Sequence, residues 1–138
     1  RRPAARPDRL LQDERVNDRA DATVLEIRTY QLRPGAGAQF DRLFRERARP
    51  LLDRHGIDVV WHGPSMDDPD SYTLMRAFGS AEARDREEAA FYGSDEWRDG
   101  PREPILALIE TYHTIVLTAP YSTIDGLRRI TSSVGRAG

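Results

Sequence analysis

Val24-Leu25-Glu26-Ile27-Arg28-Thr29-Tyr30-Gln31-Leu32 is the stretch from which the rest of the chain is read. Residues two apart fall into two unlike sets, Leu25, Ile27 and Thr29 against Glu26, Arg28 and Tyr30. A period of two marks a strand whose faces meet different surroundings. An acid, a base and a phenol aligned as a ladder put that face either in water or against a cavity. Arg33-Pro34-Gly35-Ala36-Gly37 breaks the strand. Phe40, Leu43, Phe44, Ala48, Leu51 and Leu52 then recur at helical spacing, which predicts an amphipathic helix ending at Gly56. Pro50 lies inside that pattern, lacks an N–H and clashes with the preceding turn. The expectation is a kink before it, with space opening beneath the second half of the helix.

Working outward, Ile57 to Gly63 reads as a second strand, Pro64 to Asp70 as a turn and Ser71 to Phe78 as a third strand. Ser80 is placed to cap a helix over Ala81 to Tyr92, and Ser94 a short one carrying Trp97. Ile105 to Glu110 suggests one more helical turn. Thr111 to Leu117, rich in β-branched and aromatic residues, is the fourth strand. The order βαββαβ is the split βαβ arrangement, an α+β fold with a four-stranded antiparallel sheet and helices on one face. A bare apolar sheet face of that size calls for a second copy, so a homodimer is expected. Residues 1–22 read as a loosely docked arm, 23–120 as the domain and 121–138 as a tail. Ile124, Leu127 and Ile130 would let the tail dock on a partner subunit.

Composition narrows the chemistry. The chain has 138 residues, enough for one domain, and a net charge of -2, so no basic field draws nucleic acid or an anionic membrane. Its Arg-rich start lacks an apolar signal core and no segment is apolar enough to span a bilayer, which reads as soluble and cytoplasmic. There is no cysteine, which excludes disulfides, thiol nucleophiles and thiolate metal sites. All 21 basic residues are arginine, so no lysine can form a Schiff base.

The three histidines, His55, His62 and His113, lack metal-ligand spacing, and no metal or other cofactor is expected. His55 suits a helix C-terminus, whereas His62 ends a strand where a side chain reaches a pocket mouth. The best constellation is polar and lies on one sheet face. Glu26, Arg28 and Tyr30 share a side of the first strand, Tyr72 and Arg76 a side of the third. If the two strands are neighbours, Arg28, Arg76 and Tyr30 face one cavity and can hold a carboxylate or enolate. The alternative is that Glu26 pairs with Arg28 or Arg76 and stitches the sheet together. Trp61, Trp97, Phe91 and Phe44, with Tyr72, offer flat apolar walls for a substrate. The run from Arg84 to Glu88 reads as a solvated helix face.

Leu25-Glu26-Ile27-Arg28-Thr29-Tyr30-Gln31-Leu32-Arg33-Pro34-Gly35 resembles the opening strand of the NIPSNAP family. Phe91-Tyr92-Gly93-Ser94-Asp95-Glu96-Trp97 looks like that family's helix-turn-tryptophan segment. Ala119-Pro120-Tyr121-Ser122 is similar to its closing exit. The resemblance implies a ferredoxin-like domain that dimerises into an α+β barrel, and a pocket role for Trp97. It implies no single reaction, because relatives of the barrel include cofactor-free enzymes and haem-degrading ones. Three functions are therefore expected to compete. The first is a cofactor-independent enzyme that cyclises, isomerises or oxygenates a hydrophobic, conjugated or polyketide-like small molecule, between the sheet and the Phe40–Leu52 helix. In it Arg28 and Arg76 orient an oxyanion while His62, Tyr30 or Glu26 moves a proton. The second is a non-catalytic dimeric binding protein, and the third binds haem through His62 or His113.

Overall fold

The computed structural model describes residues 22–137. The arm expected over 1–22 lies, apart from Ala22, outside those residues. Strand β1 (Ala22–Leu32) is followed by α1 (Gly37–Leu43), a π-helical stretch (Phe44–Ala48) and α2 (Arg49–Arg54). Strands β2 (Asp58–Pro64) and β3 (Ser71–Phe78) form a hairpin. Helices α3 (Ala81–Tyr92), α4 (Asp95–Arg98) and α5 (Arg102–Leu106) lead to β4 (Ile109–Pro120) and α6 (Tyr121–Ala137). The last helical turn before β4 thus begins at Arg102, earlier than the pattern suggested, and β4 is longer at both ends.

The sheet order is β2-β3-β1-β4, antiparallel throughout, which makes this a ferredoxin-like α+β fold. β1 is central, with β3 and β4 as its neighbours. It pairs Glu26 with Arg76 and Tyr30 with Tyr72 on one side, and Arg28 with Thr114 on the other. The ladder of Glu26, Arg28 and Tyr30 points toward the helices, because Tyr30 packs on the core formed by Phe40, Phe44, Tyr72, Leu74 and Phe91. The charged set of β1 is therefore covered, and its apolar set faces the other way.

Pro50 acts by a different route from a kink. The N–H of Arg49 bonds Phe44 O, five residues back, so the helix widens into a π turn just before the proline. No space opens beneath it. Leu51 and Leu52 are 7% and 2% exposed, and the interface between the Phe40–Leu52 segment and the sheet is filled. The turn before α1 is held by Asp70, whose carboxylate accepts from Gly35 N at 2.9 Å and Gly37 N at 3.0 Å. Gly35 itself has φ +83, a left-handed conformation that favours glycine.

The segment read as a tail is a helix that docks on its own sheet. Ile124 of α6 is fully buried over Leu25, Val60, Ala77 and Ala119, and Arg128 forks onto Asp58 of β2. α6 covers only one end of the face away from the other helices. Farther along it, Ile115 and Leu117 of β4 are 50% and 44% exposed.

Candidate functional site

A cavity of about 420 Å³ lies on the helix side of β1 and β4, under α3, α4 and α5. Arg28, Tyr30 and Tyr112 line its sheet wall. Glu88, Tyr92 and Trp97 line its roof, and Arg102, Ile105, Leu106 and Ile109 its mouth. The sheet–helix pocket expected under α1 and α2 is thus replaced by one under the second helical layer. The reason is packing, since Phe40, Phe44 and Leu52 occupy the first position.

Sheet register sets Glu26 of β1 opposite Arg76 of β3, and α3 adds Arg84 and Glu88 to make one charged group. Arg76 Nε donates to Glu26 Oε1 at 2.7 Å, and both side chains are fully buried. Arg84 Nε donates to Glu26 Oε2 at 2.9 Å, and Glu88 Oε2 lies 3.2 Å from Arg76 Nη2. Arg28 Nε donates to Thr114 Oγ1 at 2.9 Å, its Nη2 stands 3.8 Å from Glu26, and its guanidinium lies over the Tyr112 ring. Arg76 Nη1 and Arg28 Nη1 both donate to the Tyr92 hydroxyl, at 2.8 and 3.3 Å.

The two carboxyls of this group move apart. Burial works to raise Glu26, but the hydrogen bond from Glu88 and the charges of Arg76 and Arg28 carry it down to about 2. Burial pushes Glu88 up to about 7, helped by the hydrogen bond to Glu26 and opposed by Arg76 and Arg84. Near neutrality Glu88 is therefore partly protonated, beside an ionised Glu26. Two acids whose surroundings drive them apart are the arrangement acid–base chemistry requires. Burial also raises the Tyr30 phenol above its ordinary range, so it stays protonated as a donor.

Of the candidate residues read from the sequence, Arg28, Tyr30 and Trp97 line the cavity. Glu26 and Arg76 lie behind its wall, held in the ion-pair group. Phe91 is buried against Tyr92 and Trp97 and backs the cavity without lining it. His62, Tyr72 and Phe44 form a separate cluster. There the Tyr72 hydroxyl donates to Asp41 at 2.6 Å and lies 2.8 Å from His62 Nδ1, with the Phe44 ring 4.7 Å from the imidazole. Burial and the Arg49 charge push His62 down, so it is neutral there. Trp61 is on the opposite sheet face, turned over by the bulge at Val60. His113 is exposed and His55 pairs with Glu96 on the surface.

Sequence reading missed Glu88, Arg102 and Tyr112, and took Tyr92 only as flat apolar surface. The Arg84–Glu88 run is not wholly solvated, since Arg84 and Glu88 join the buried group. The signal was present in the spacing. Arg84, Glu88 and Phe91 recur at four and three residues on one stripe of α3, and Phe91 is 1% exposed. Among the described residues no cluster of His, Asp and Glu could hold a metal ion, and no helix is long and apolar enough to cross a membrane.

The fold recurs in known structures. A NIPSNAP family protein of unknown function from Agrobacterium tumefaciens aligns over 71% of this chain and 88% of its own, with 22% identity and a TM-score of 0.66. A NIPSNAP-like domain protein from Burkholderia xenovorans aligns over 72% and 86%, at 19% identity and a TM-score of 0.66. A Nitrosomonas europaea protein, assigned provisionally as an antibiotic biosynthesis monooxygenase, aligns over 71% and 99%, at 15% identity and a TM-score of 0.56. At these identities the likeness is one of fold. The sequence has no match among curated proteins. Residues 25–123 match the NIPSNAP family, and with the opening strand, the Trp97 segment and the sheet order in agreement, the chain belongs to that family.

Proposed function

We propose that this NIPSNAP protein is a small-molecule enzyme of the proton-transfer class, acting on a planar, largely apolar and conjugated molecule, including polyketide-like ones. The observation that carries the reading is Glu88, a carboxyl raised to about 7 on the wall of a cavity it shares with Arg28. A base poised near neutrality takes up a proton efficiently. Glu88 abstracts an acidic C–H or O–H proton, and Arg28 balances the negative charge left on the ligand. Trp97, Ile105, Leu106 and Ile109 supply the apolar wall that a flat substrate needs. Isomerisation and cyclisation require only such proton shifts and a shape that folds the substrate into a reactive conformer. Oxygenation would use the same carbanion with dioxygen as co-substrate. The protein works as a cytoplasmic homodimer in this reading, the second copy covering Ile115 and Leu117.

The test is deuterium uptake from D2O into an enolisable aryl ketone, followed by NMR. The wild type is expected to accelerate exchange over buffer, and Glu88→Gln to lower that acceleration by about 100-fold or more. Exchange unchanged by Glu88→Gln would refute the role of the carboxyl. A second reading, a non-catalytic binding protein, draws on the Glu26–Arg76 pair, which is wholly consumed in structure. Retained ligand binding without exchange would support it. The haem reading gains nothing from the cavity, because neither His62 nor His113 lines it. A Soret band on haem addition would revive it.

A further inference from the structure

The Tyr92 oxygen is where two guanidiniums converge, Arg76 Nη1 at 2.8 Å and Arg28 Nη1 at 3.3 Å. A phenol has one O–H and two acceptor sites. Both acceptor sites are taken, and the Tyr92 proton has no acceptor among the described residues. The side chain lines the Arg28 cavity and also an adjoining hollow of about 480 Å³ beside Arg98 and Asp99. Tyr92 thus borders space that a ligand can enter, and its O–H is the one hydrogen-bonding function it has left to offer. Two cationic donors draw electron density from the oxygen and make its own proton a stronger donor. The acceptor that fits best is an oxygen with negative charge and no proton.

Resting on the cavity reading above, we infer that Tyr92 donates a hydrogen bond to the ligand's oxygen, and that the site selects planar molecules bearing a phenolate or enolate oxygen over neutral isosteres. Arg28 lies on the same wall and supplies the countercharge. Arg76, fully buried, acts only through Tyr92.

The probe is 4-nitrophenol, whose phenolate absorbs in the visible, with nitrobenzene as the neutral isostere. Bound to the wild type near the probe's own pKa, the phenolate fraction is expected to rise, shifting its apparent ionisation about tenfold. Tyr92→Phe is expected to keep nitrobenzene binding and lose most of that shift. This substitution leaves a buried Arg76 N–H unpaired, so a second protein carrying 3-fluorotyrosine at position 92 is measured alongside. Its more acidic phenol is expected to enlarge the shift. If neither probe binds the wild type, the cavity reading fails and this inference with it. If both probes bind alike and the phenolate gains nothing, the cavity reading stands and the Tyr92 role is overturned. A fluorotyrosine protein with an unaltered shift also overturns it.

Discussion

Glu26 and Glu88 respond to pH in opposite senses. Glu88 titrates near 7 when folded against 4.5 in the reference state, so the folded chain keeps a proton the unfolded chain has released. That stabilisation is full below pH 4.5 and is lost as pH rises through 7. Glu26, at about 2 when folded, stabilises above pH 4.5 and its contribution disappears as pH falls toward 2. Stability is therefore expected to peak near pH 5 and to decline by on the order of 3 kcal/mol toward pH 8. Urea denaturation across that range checks it, and Glu88→Gln, which mimics the protonated acid, is expected to flatten the decline. An equally steep decline in Glu88→Gln would assign the proton to another group. The two arginines separate in the same way. Arg76→Met takes the only fully buried guanidinium from Glu26, leaving Arg84 on one of its oxygens, and is expected to cost about 3 kcal/mol. Arg28→Met keeps Arg76 and Arg84 on that carboxylate and is expected to cost about 1 kcal/mol while weakening 4-nitrophenol binding at least tenfold. Period two in β1 was enough to group Glu26, Arg28 and Tyr30, and neighbouring strands brought Arg76 to them. Glu88 escaped because a charge run resembles a solvated face until the helix carrying it is seen against the sheet.

At the scale of elements, the β2–β3 turn does more than reverse the chain. Its three acids, two prolines and serine were legible as a turn, but Asp70 also clamps the start of α1, a contact between residues 33 and 35 positions apart. Asp70→Ala is expected to cost about 1–2 kcal/mol, comparable to the loss of a helix cap. Gly37→Ala is the harsher change. A Cβ there would sit 1.9 Å from Pro69 O, a backbone atom that cannot swing aside. Thermal melting should show the Gly37→Ala loss exceeding the Asp70→Ala loss, and the reverse order would mean that the turn moves freely. Pro50 teaches a related lesson. A missing N–H predicted a disturbance in the helix, but whether it became a kink or a π turn depended on packing of Phe44, Leu51 and Leu52 that no local pattern encodes.

For the whole molecule, the split βαβ order and the central place of β1 were legible because each element announces itself by period and breaker. The position of α6 was not. Ile124 and Leu127 were readable as apolar handles, yet only the assembled sheet shows that Leu25, Val60 and Ala77 are there to receive them. With α6 over one end, Ile115 and Leu117 remain open, and a second copy is the partner we propose for them. Light scattering is expected to give a dimer, and the double substitution Ile115→Glu with Leu117→Glu a folded monomer. A wild-type monomer at millimolar concentration would contradict the pairing.

We propose the hollow between β1, β4 and α3–α5 as a ligand site. A crystal structure of the protein with 4-nitrophenol tests it most directly. The ring is expected between Trp97 and Ile105, with the phenolate oxygen within hydrogen-bond reach of Tyr92 and Arg28. An empty hollow with the ligand on the open sheet face beside Ile115 would contradict it.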